Sequence, residues 1–272
     1  MSEVNVPLDE LLRSVEGGLY SSPKLDWDVL KFLGFYVVRN LLSPATVKKY
    51  LDIYRSDMES GVLKKNDAHL TEVQVKPGHA LRDVIAEPEF LALASQFYGG
   101  QVGSDYVRVV KKDAFNQDPV FLHQDSSYQV GWLDRYSLFI ALTPCHFDNG
   151  GLVLYPGTHH FGYLSDAGEI RDFLPDGYPR VKSSLEPGDV VVMHSCTWHS
   201  SPVNITHDDR VYLEVHLQNI DDPSTVMEVC GTRTSPWRLT LKGDDLFVNS
   251  RVQRLKSLYS ERDTWRGTQT KS

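Results

Sequence analysis

Cysteine is scarce in this 272-residue chain, which contains only Cys145, Cys196 and Cys230. The three are far apart and odd in number, whereas disulfide frameworks and structural zinc sites need cysteines in pairs. Cys196 lies three residues before His199, but a buried cysteine is more often a small core residue than a ligand. The sequence therefore favours a protein without disulfides, and a reducing, cytoplasmic location is expected.

Long apolar runs and an excess of positive charge are also missing. No segment approaches the ~20 consecutive apolar residues that span a bilayer. The first residues, MSEVNVPLDELL, lack the basic and apolar regions of a signal peptide. The formal net charge is −8, which is unfavourable for binding phosphates. We therefore expect neither a nucleic-acid nor a membrane partner, but a small-molecule substrate, and the oligomeric state stays open.

What the chain does contain is ordinary for a globular protein, with 41% hydrophobic and 24% charged residues. Its length suits one large domain or two small ones. The local patterns predict a single domain over 1–272. Within it we expect a helical N-terminal part over about 7–100, a β-rich core over about 101–220 and a C-terminal extension over 221–272.

Helix signals are confined mainly to the N-terminal part. The run LDWDVLKFLG has helical spacing and ends at Gly34, and GFYVVRN then reads as a short strand. Ser43 as N-cap and Pro44 in the first turn predict a helix over PATVKKYLDIYRSDMESG. Another helix is expected from Glu87 to Phe97. In the C-terminal extension, SRVQRLKSLY predicts a short helix.

Short β-rich runs follow Gly100, and turn clusters such as FDNGG and LEPGD separate them. This spacing is typical of a β-sandwich or barrel. In RVYLEVHLQ the apolar residues alternate with polar ones, so one strand face packs on a core. The polar face is either a solvated outer surface, which the periodicity alone favours, or the lining of a polar interior.

A histidine and a carboxylate end the apolar run VFLH. His123 and Asp125 are two residues apart, so their side chains lie on the same side of an extended chain. The His-x-Asp pattern is weak by itself, because it recurs at 146–148 and 207–209. Partners elsewhere in the chain have to decide its meaning.

His199, in a later β-rich segment, supplies such a partner. Two histidines and one carboxylate form the ligand set of non-haem Fe(II) sites. Three protein ligands leave three coordination positions for a bidentate 2-oxo acid and O₂. Arg210, at the start of the next strand, suits the distal carboxylate of a dicarboxylic co-substrate, although a lone arginine there is more often part of a surface ion pair.

Four segments resemble the phytanoyl-CoA dioxygenase family in their order and spacing: HQD at 123–125, DNGGLVLYPGTHHFG at 148–162, PGDVVVMH at 187–194 and HSSPVN…R at 199–210. The resemblance also takes in GFYVVRNLLS and covers most of 30–218. The family consists of Fe(II)/2-oxoglutarate-dependent oxygenases. The resemblance therefore implies a mainly β fold with flanking helices, built as a double-stranded β-helix, which is a cupin-like jelly-roll barrel.

The resemblance also implies site residues by position. The iron ligands would be His123, Asp125 and His199. Candidate residues for binding 2-oxoglutarate are Arg210 on the distal carboxylate, Ser201 beside it, and Arg108, Phe139 and Gln74. Candidate substrate-pocket residues are the aromatic side chains Tyr128, Trp132, Trp198 and Tyr212.

Three positions depart from the family pattern. Ser200 follows the distal histidine where the family often has glycine. Glu72 stands where the phytanoyl-CoA enzyme has a lysine, and Arg108 stands where that enzyme has a methionine. Either the cationic contact with 2-oxoglutarate has moved, or Arg108 serves an anionic substrate. Both readings argue against phytanoyl-CoA itself as the substrate.

By the same resemblance the other histidines fall outside the site. The patterns at 146–148 and 207–209 lie in turns, where solvated side chains are common. His159 lies in the PGTH turn and is expected to be structural or at the pocket rim. His194 comes too early, relative to SSPVN and Arg210, to be the distal ligand.

The implied activity is that of an oxidoreductase with Fe(II), 2-oxoglutarate and O₂. It would hydroxylate an unactivated C–H bond of a small-molecule metabolite and release succinate and CO₂. One alternative is a cupin-type metal enzyme without a 2-oxo acid, against which Arg210 and Ser201 argue. The other is a non-catalytic binding protein on the same fold, against which the complete ligand set argues.

Overall fold

The computed structural model describes residues 8–63, 72–113, 119–127, 133–162, 174 and 177–236. Two expectations concern residues outside these ranges, namely the helix at SRVQRLKSLY and the pocket candidates Tyr128 and Trp132. Among the described helices, none is both long enough and apolar enough to cross a membrane.

The α-helices of the described chain lie in its N-terminal part and are α1 (Leu8–Glu16), α2 (Trp27–Leu33), α3 (Pro44–Glu59) and α4 (Pro88–Ala94). Their ends follow local signals. The Ser43 side chain accepts a hydrogen bond from the Thr46 amide at 3.2 Å and begins α3, and Gly34, with a φ of 83°, ends α2. Both predictions are confirmed. The fourth helix is shorter than predicted, because α4 ends at Ala94.

The strands of the described chain are, in order, β1 (Ser21–Ser22), β2 (Phe35–Val38), β3 (Glu72–Gln74), β4 (Val102–Ser104), β5 (Val107–Lys112), β6 (Val120–His123), β7 (Tyr136–Ala141), β8 (Val153–Leu154), β9 (Val181–Lys182), β10 (Val190–His194), β11 (His199–Ser201), β12 (Arg210–Asn219) and β13 (Met227–Cys230).

These strands form two sheets. The large sheet has the order β1-β2-β10-β7-β12-β4-β13, with β5 alongside β12 and β3 alongside β5, and the small sheet has the order β6-β11-β8-β9. Neighbours in the sequence are mostly not neighbours in the sheets, as in a jelly roll. The mainly β jelly-roll fold with flanking helices is as expected. The two sheets of this jelly roll are not closed into a continuous barrel, because no described strand pairs with strands of both sheets.

The two faces of the large sheet bury different cores. Because side chains alternate along a strand, Leu138, Val192 and Leu213 lie on the face that packs against the helices, together with Tyr50 of α3 and Phe90 of α4. The opposite face points towards the small sheet. Its apolar members pack with residues of that sheet, and this inner core contains Phe35, Val37, Phe139, Ala141, Leu154, Val181, Val191, Met193 and Tyr212.

Strand β12 is therefore buried on both faces. Its apolar residues face the helices, and its polar residues face the interior between the sheets. These polar residues are almost fully buried: Arg210 (1% exposed), Glu214 (0%), His216 (2%) and Gln218 (1%). The solvated outer surface that the periodicity favoured was the wrong alternative, because the helices cover the apolar face and leave the polar face inside.

Candidate metal centre

Three side chains from separate parts of the chain converge between the sheets. His123 ends β6 and lies opposite His199, the first residue of β11, in the antiparallel ladder. Asp125 begins the 3₁₀ turn directly after β6. Oδ1 of Asp125 lies 3.7 Å from Nε2 of His123 and 3.6 Å from Nε2 of His199. All three residues are buried, and their candidate ligand atoms lie within 4.8 Å of one another.

Backbone carbonyls orient both imidazoles. Nδ1 of His123 lies 2.7 Å from the Phe121 oxygen, and Nδ1 of His199 lies 3.0 Å from the Thr197 oxygen. A carbonyl only accepts hydrogen bonds, so each Nδ1 carries the proton and each Nε2 presents a lone pair. That tautomer is the one that binds a metal through Nε2.

Asp125 is held as an ionised carboxylate. Burial would raise the pKa of its carboxyl group, but in the metal-free site the positive charges that His199 and His123 carry when doubly protonated, together with that of Arg108, outweigh burial and lower that pKa far below its usual range. The Ser137 hydroxyl donates a hydrogen bond of 2.8 Å to Oδ2, which leaves Oδ1 turned towards the histidines. One carboxylate oxygen and two imidazole nitrogens fit a divalent first-row cation.

Arg210 is buried without a carboxylate partner among the described residues. Its Nη1 donates to the Val110 oxygen at 3.1 Å, and its Cζ lies 4.7 Å from the centre of the Tyr212 ring. Arg210 Nε has no hydrogen-bond partner in the described structure, and the same holds for the buried hydroxyls of Tyr212 and Ser183. A buried, unpaired guanidinium is costly, so this end of the interior fits an anionic group supplied by a ligand.

The other candidates for binding 2-oxoglutarate lie nearby but differ in their contacts. The Phe139 ring lies between the two centres, 6.4 Å from the His199 ring and 5.8 Å from the Tyr212 ring. The Ser201 hydroxyl donates to the Gly150 oxygen at 2.7 Å. Gln74 lies on β3 opposite Arg108 of β5. Arg108 forms an ion pair with Glu214, at 2.5 Å from Nε to Oε2.

Two candidate substrate-pocket residues lie in the interior of the protein. Trp198 is fully buried, and its ring lies 6.2 Å from that of Phe161. Tyr212 is also fully buried and stacks beside Arg210. The structure therefore places Tyr212 at the Arg210 end of the interior.

The remaining histidines stay apart from the cluster. His207 is exposed, and His146 contacts Ser184 through Nδ1 at 3.2 Å. His194 lies 3.3 Å from Asp134. His159 donates from Nε2 to the end of α2, at the Lys31 oxygen, over 2.8 Å. Within the described chain, no second group of three metal-binding side chains converges in this way.

Sequence reasoning missed two residues beside the centre. Ser137 lies on β7 opposite His216 of β12, and Glu214 lies opposite both Phe139 and Arg108. The alternation of YSLFIA would have placed Ser137 on the same face as Phe139. It does not say that this face meets Asp125, because that contact depends on how the sheets pack.

The jelly roll and the buried His–Asp–His cluster define the class of this protein: a mainly β protein with a candidate non-haem metal site between its sheets. Within that class, the chain belongs to the family described as phytanoyl-CoA dioxygenase (PhyH), whose profile matches residues 33–212. Its role is that of a dioxygenase.

Individual relatives are distant. The dioxygenase cnsJ of Penicillium expansum is 24% identical over 249 residues, covering 77% of this chain and 72% of that protein. The epimerase SnoN, solved with Fe3+, alpha ketoglutarate and nogalamycin RO, has a TM-score of 0.63 at 21% identity and covers 80% of this chain and 94% of its own. The alpha ketoglutarate dependent carbocyclase SnoK from nogalamycin biosynthesis has a TM-score of 0.63 at 18% identity, covering 80% and 95%. At these identities the two structures show a shared fold.

Proposed function

We propose that the protein is a Fe(II)- and 2-oxoglutarate-dependent dioxygenase that hydroxylates an unactivated C–H bond of a small-molecule metabolite, with release of succinate and CO₂. One observation carries the proposal. The buried cluster of His123, Asp125 and His199 shares an interior with Arg210, a buried arginine that has no carboxylate partner among the described residues.

The residues present fit both groups that this activity needs. Two neutral imidazoles and one carboxylate suit Fe(II) and leave positions free for other ligands. The guanidinium of Arg210 and the hydroxyls of Tyr212 and Ser183 have unused hydrogen-bonding capacity in the buried interior. A distal carboxylate of 2-oxoglutarate would supply the acceptor that the guanidinium of Arg210 lacks.

Each part of the chain then has a defined task. His123, Asp125 and His199 would hold the iron, and Ser137 fixes the orientation of Asp125. Bound iron would supply, with O₂ and the 2-oxo acid, the oxidising power that breaks a C–H bond.

Arg210 would anchor the distal end of the co-substrate, and Phe139 lies between this anchor and the metal ligands. The buried apolar side chains Leu154, Val191 and Met193 line the same interior and keep water out.

Two other reaction types are suggested by the structural neighbours, because SnoN is an epimerase and SnoK a carbocyclase. Attack on a C–H bond can end in oxygen insertion, in inversion or in ring closure. The product mass separates these outcomes. Hydroxylation adds one oxygen atom, ring closure removes two hydrogens, and epimerisation leaves the mass unchanged.

The test is an anaerobic titration of the protein with Fe(II) and then 2-oxoglutarate, which needs no substrate. We expect a visible metal-to-ligand charge-transfer band in the wild type, and no band in His123→Ala, Asp125→Ala or His199→Ala. His207→Ala, on an exposed turn, is the matched control and should keep the band.

Other results would replace the proposal by an alternative. Oxygen uptake by the iron-loaded protein without any 2-oxo acid would favour the cupin-type enzyme. Failure to bind Fe(II) at micromolar concentration would favour a non-catalytic binding protein. A band that survives in His199→Ala but not in His207→Ala would overturn the ligand assignment.

A further inference from the structure

A row of buried charged side chains begins beside the metal centre. Nε and Nη2 of Arg108 lie 2.5 and 3.0 Å from the Glu214 carboxylate oxygens. Nε2 of His216 lies 2.7 Å from Glu214 Oε1, and its Nδ1 lies 3.6 Å from Asp105. Arg108, Glu214 and His216 are 4%, 0% and 2% exposed. We call these three residues the charged wall.

The row continues away from the metal centre with alternating sign. Arg135 lies 3.0 Å from Asp105 and 3.2 Å from Asp222. Burial alone would lower the pKa of His216, but its contacts with Asp105 and Glu214 outweigh burial and raise that pKa to about 9. His216 is therefore a cation at neutral pH. Three cations and three carboxylates alternate, so the row carries no net charge.

The register of the large sheet points the charged wall into the same interior as the metal ligands. Glu214 lies between Arg108 of β5 and Phe139 of β7, whose ring lies near His199. One inward position further along β12, about 7 Å away, His216 lies opposite Ser137, which holds Asp125. Arg210 is at the opposite end of β12.

The region of the metal ligands and Arg210 differs in net charge from the region of the charged wall. A divalent cation on Asp125 leaves one positive charge, and Arg210 adds another. The two carboxylates of 2-oxoglutarate match both of them. The six-residue row that contains the charged wall, in contrast, carries no net charge without any ligand, because Asp105, Arg135 and Asp222 balance the wall's single excess positive charge. A primary substrate beside the wall therefore meets charges that are already matched among these described residues.

We propose that the charged wall of Arg108, Glu214 and His216 binds an uncharged, hydrogen-bonding part of the primary substrate, such as a hydroxylated or carbonyl-bearing ring. The proposal deepens the proposed function and rests on it for the place of the substrate. Glu214 accepts and Arg108 donates hydrogen bonds to such a group. The Tyr106 ring, 5.5 Å from Arg108 and 5.1 Å from the His216 ring, adds an aromatic surface.

Charged groups are rejected at this position. An anion would have to take Arg108 from Glu214 and leave a buried carboxylate with one partner fewer, which is strongly unfavourable. A cation would lie beside Arg108, His216 and the metal. The earlier alternative, in which Arg108 serves an anionic substrate, is disfavoured because Glu214 occupies both Nε and Nη2 of the guanidinium.

The experiment changes the charge of the wall and measures which small probes bind. Protein loaded with Zn(II), to prevent turnover, and saturated with 2-oxoglutarate is titrated with benzoate, benzylammonium and benzamide by calorimetry. The titrations are done at about pH 6, where histidine is ordinarily protonated. The variants are Glu214→Gln, which leaves the six-residue row with an excess cation, and Arg108→Gln, which leaves that row with an excess anion.

Matched controls come from an ion pair on the helical side of the protein. Lys49 lies 2.7 Å from Glu87, and Glu87→Gln and Lys49→Gln change the net charge by the same amounts away from the interior. We expect Glu214→Gln to bind benzoate, and Arg108→Gln to bind benzylammonium, at least roughly tenfold more tightly than the wild type. The control variants should behave as the wild type does.

Two results would overturn the proposal. One is wild-type protein that binds benzoate at least as tightly as Glu214→Gln does. The other is the absence of any gain in both wall variants, with circular dichroism showing them folded. If one variant fails to fold, the other decides. The charge-transfer titration tests the proposed function separately. A missing band would contradict the proposed function, whereas unchanged probe selectivity in the wall variants would contradict the role of the charged wall.

Discussion

The hydroxyl of Ser137 decides which oxygen of Asp125 faces the two histidines. It occupies Oδ2 at 2.8 Å, and Oδ1 is then the oxygen near both Nε2 atoms. Partners of this kind orient metal ligands, and removing one commonly costs 10–100-fold in metal affinity. Ser137 is a positioning residue, since it acts through Asp125.

We therefore expect Ser137→Ala to bind Fe(II) about 10–100-fold more weakly, and Ser137→Thr, which keeps the hydroxyl, to recover most of the affinity. Anaerobic calorimetric titration with Fe(II) measures both variants. Equal affinity in Ser137→Ala and the wild type would show that Asp125 is oriented by other contacts.

Arg210 should contribute to co-substrate binding through both its charge and its shape. Arg210→Ala is expected to weaken 2-oxoglutarate binding by about 2–5 kcal/mol. Arg210→Lys should recover only part of it, because an ammonium cannot form the paired hydrogen bonds of a guanidinium. The charge-transfer band, titrated with 2-oxoglutarate, gives the affinity, and an unchanged midpoint in Arg210→Ala would place the co-substrate elsewhere.

Local sequence predicts the cluster itself but not its surroundings. His123, Asp125 and His199 were predicted from a ligand set and the order of motifs, and the structure brings them together. Ser137 and Glu214 were missed because their contacts depend on which strands, distant in the sequence, become neighbours in the large sheet. Tyr212, a candidate for the substrate pocket, stacks beside Arg210, because β12 directs both residues inward.

At the scale of elements, β12 shows that a correctly recognised alternation of apolar and polar residues does not say which face of the strand meets solvent. Its alternation was evident from the sequence, but which face meets solvent depends on α3 and α4, which come from far earlier in the chain. Helix ends are different, because Ser43 and Gly34 begin and end helices through contacts with residues close in the sequence. These ends were therefore predictable.

The two faces of β12 should respond differently to substitution. Leu213→Ala, on the helix-covered face, should lower the free energy of unfolding by about 2–5 kcal/mol and leave Fe(II) affinity unchanged. Urea denaturation and calorimetry measure these two quantities. Val226→Ala, at a side chain that is 60% exposed, is the control with little expected effect. A loss of metal affinity in Leu213→Ala would mean that the two faces are coupled.

On the scale of the whole molecule, the helical N-terminal part and the β core are structurally joined. β2 pairs with β10 and β3 pairs with β5, so strands from before residue 100 complete the large sheet. The local patterns change from helical to β-rich near that residue, within the single domain that the sequence predicts. The pairing of these distant segments is encoded by no local pattern.

The interior charges should also give the molecule a pH-dependent stability. The pKa of His216 is raised in the folded state to about 9, above the ordinary ~6.5. Its contribution to stability is therefore fully present below about pH 6.5 and is lost as the pH rises through about 9. The groups facing His216 are Glu214, Asp105 and the Tyr106 ring, with Ser137 opposite it on β7.

Urea denaturation between pH 6 and pH 10 should show a decline of up to about 1.4 kcal/mol per pH unit from this proton. His216→Gln should be less stable at pH 6 and should lack that part of the slope. The same slope in both proteins would assign the pH dependence to other groups.

The two sheets share no strand in the described structure, yet the metal ligands bridge them. His123 and His199 belong to the small sheet, and Asp125 is held by Ser137 of the large sheet. A bound cation would therefore link the two sheets, whose described strands form separate hydrogen-bond ladders. In hydrogen–deuterium exchange, stripping the ion with a chelator should first expose the amides of β6 and β11 and leave those of β7 and β12 protected.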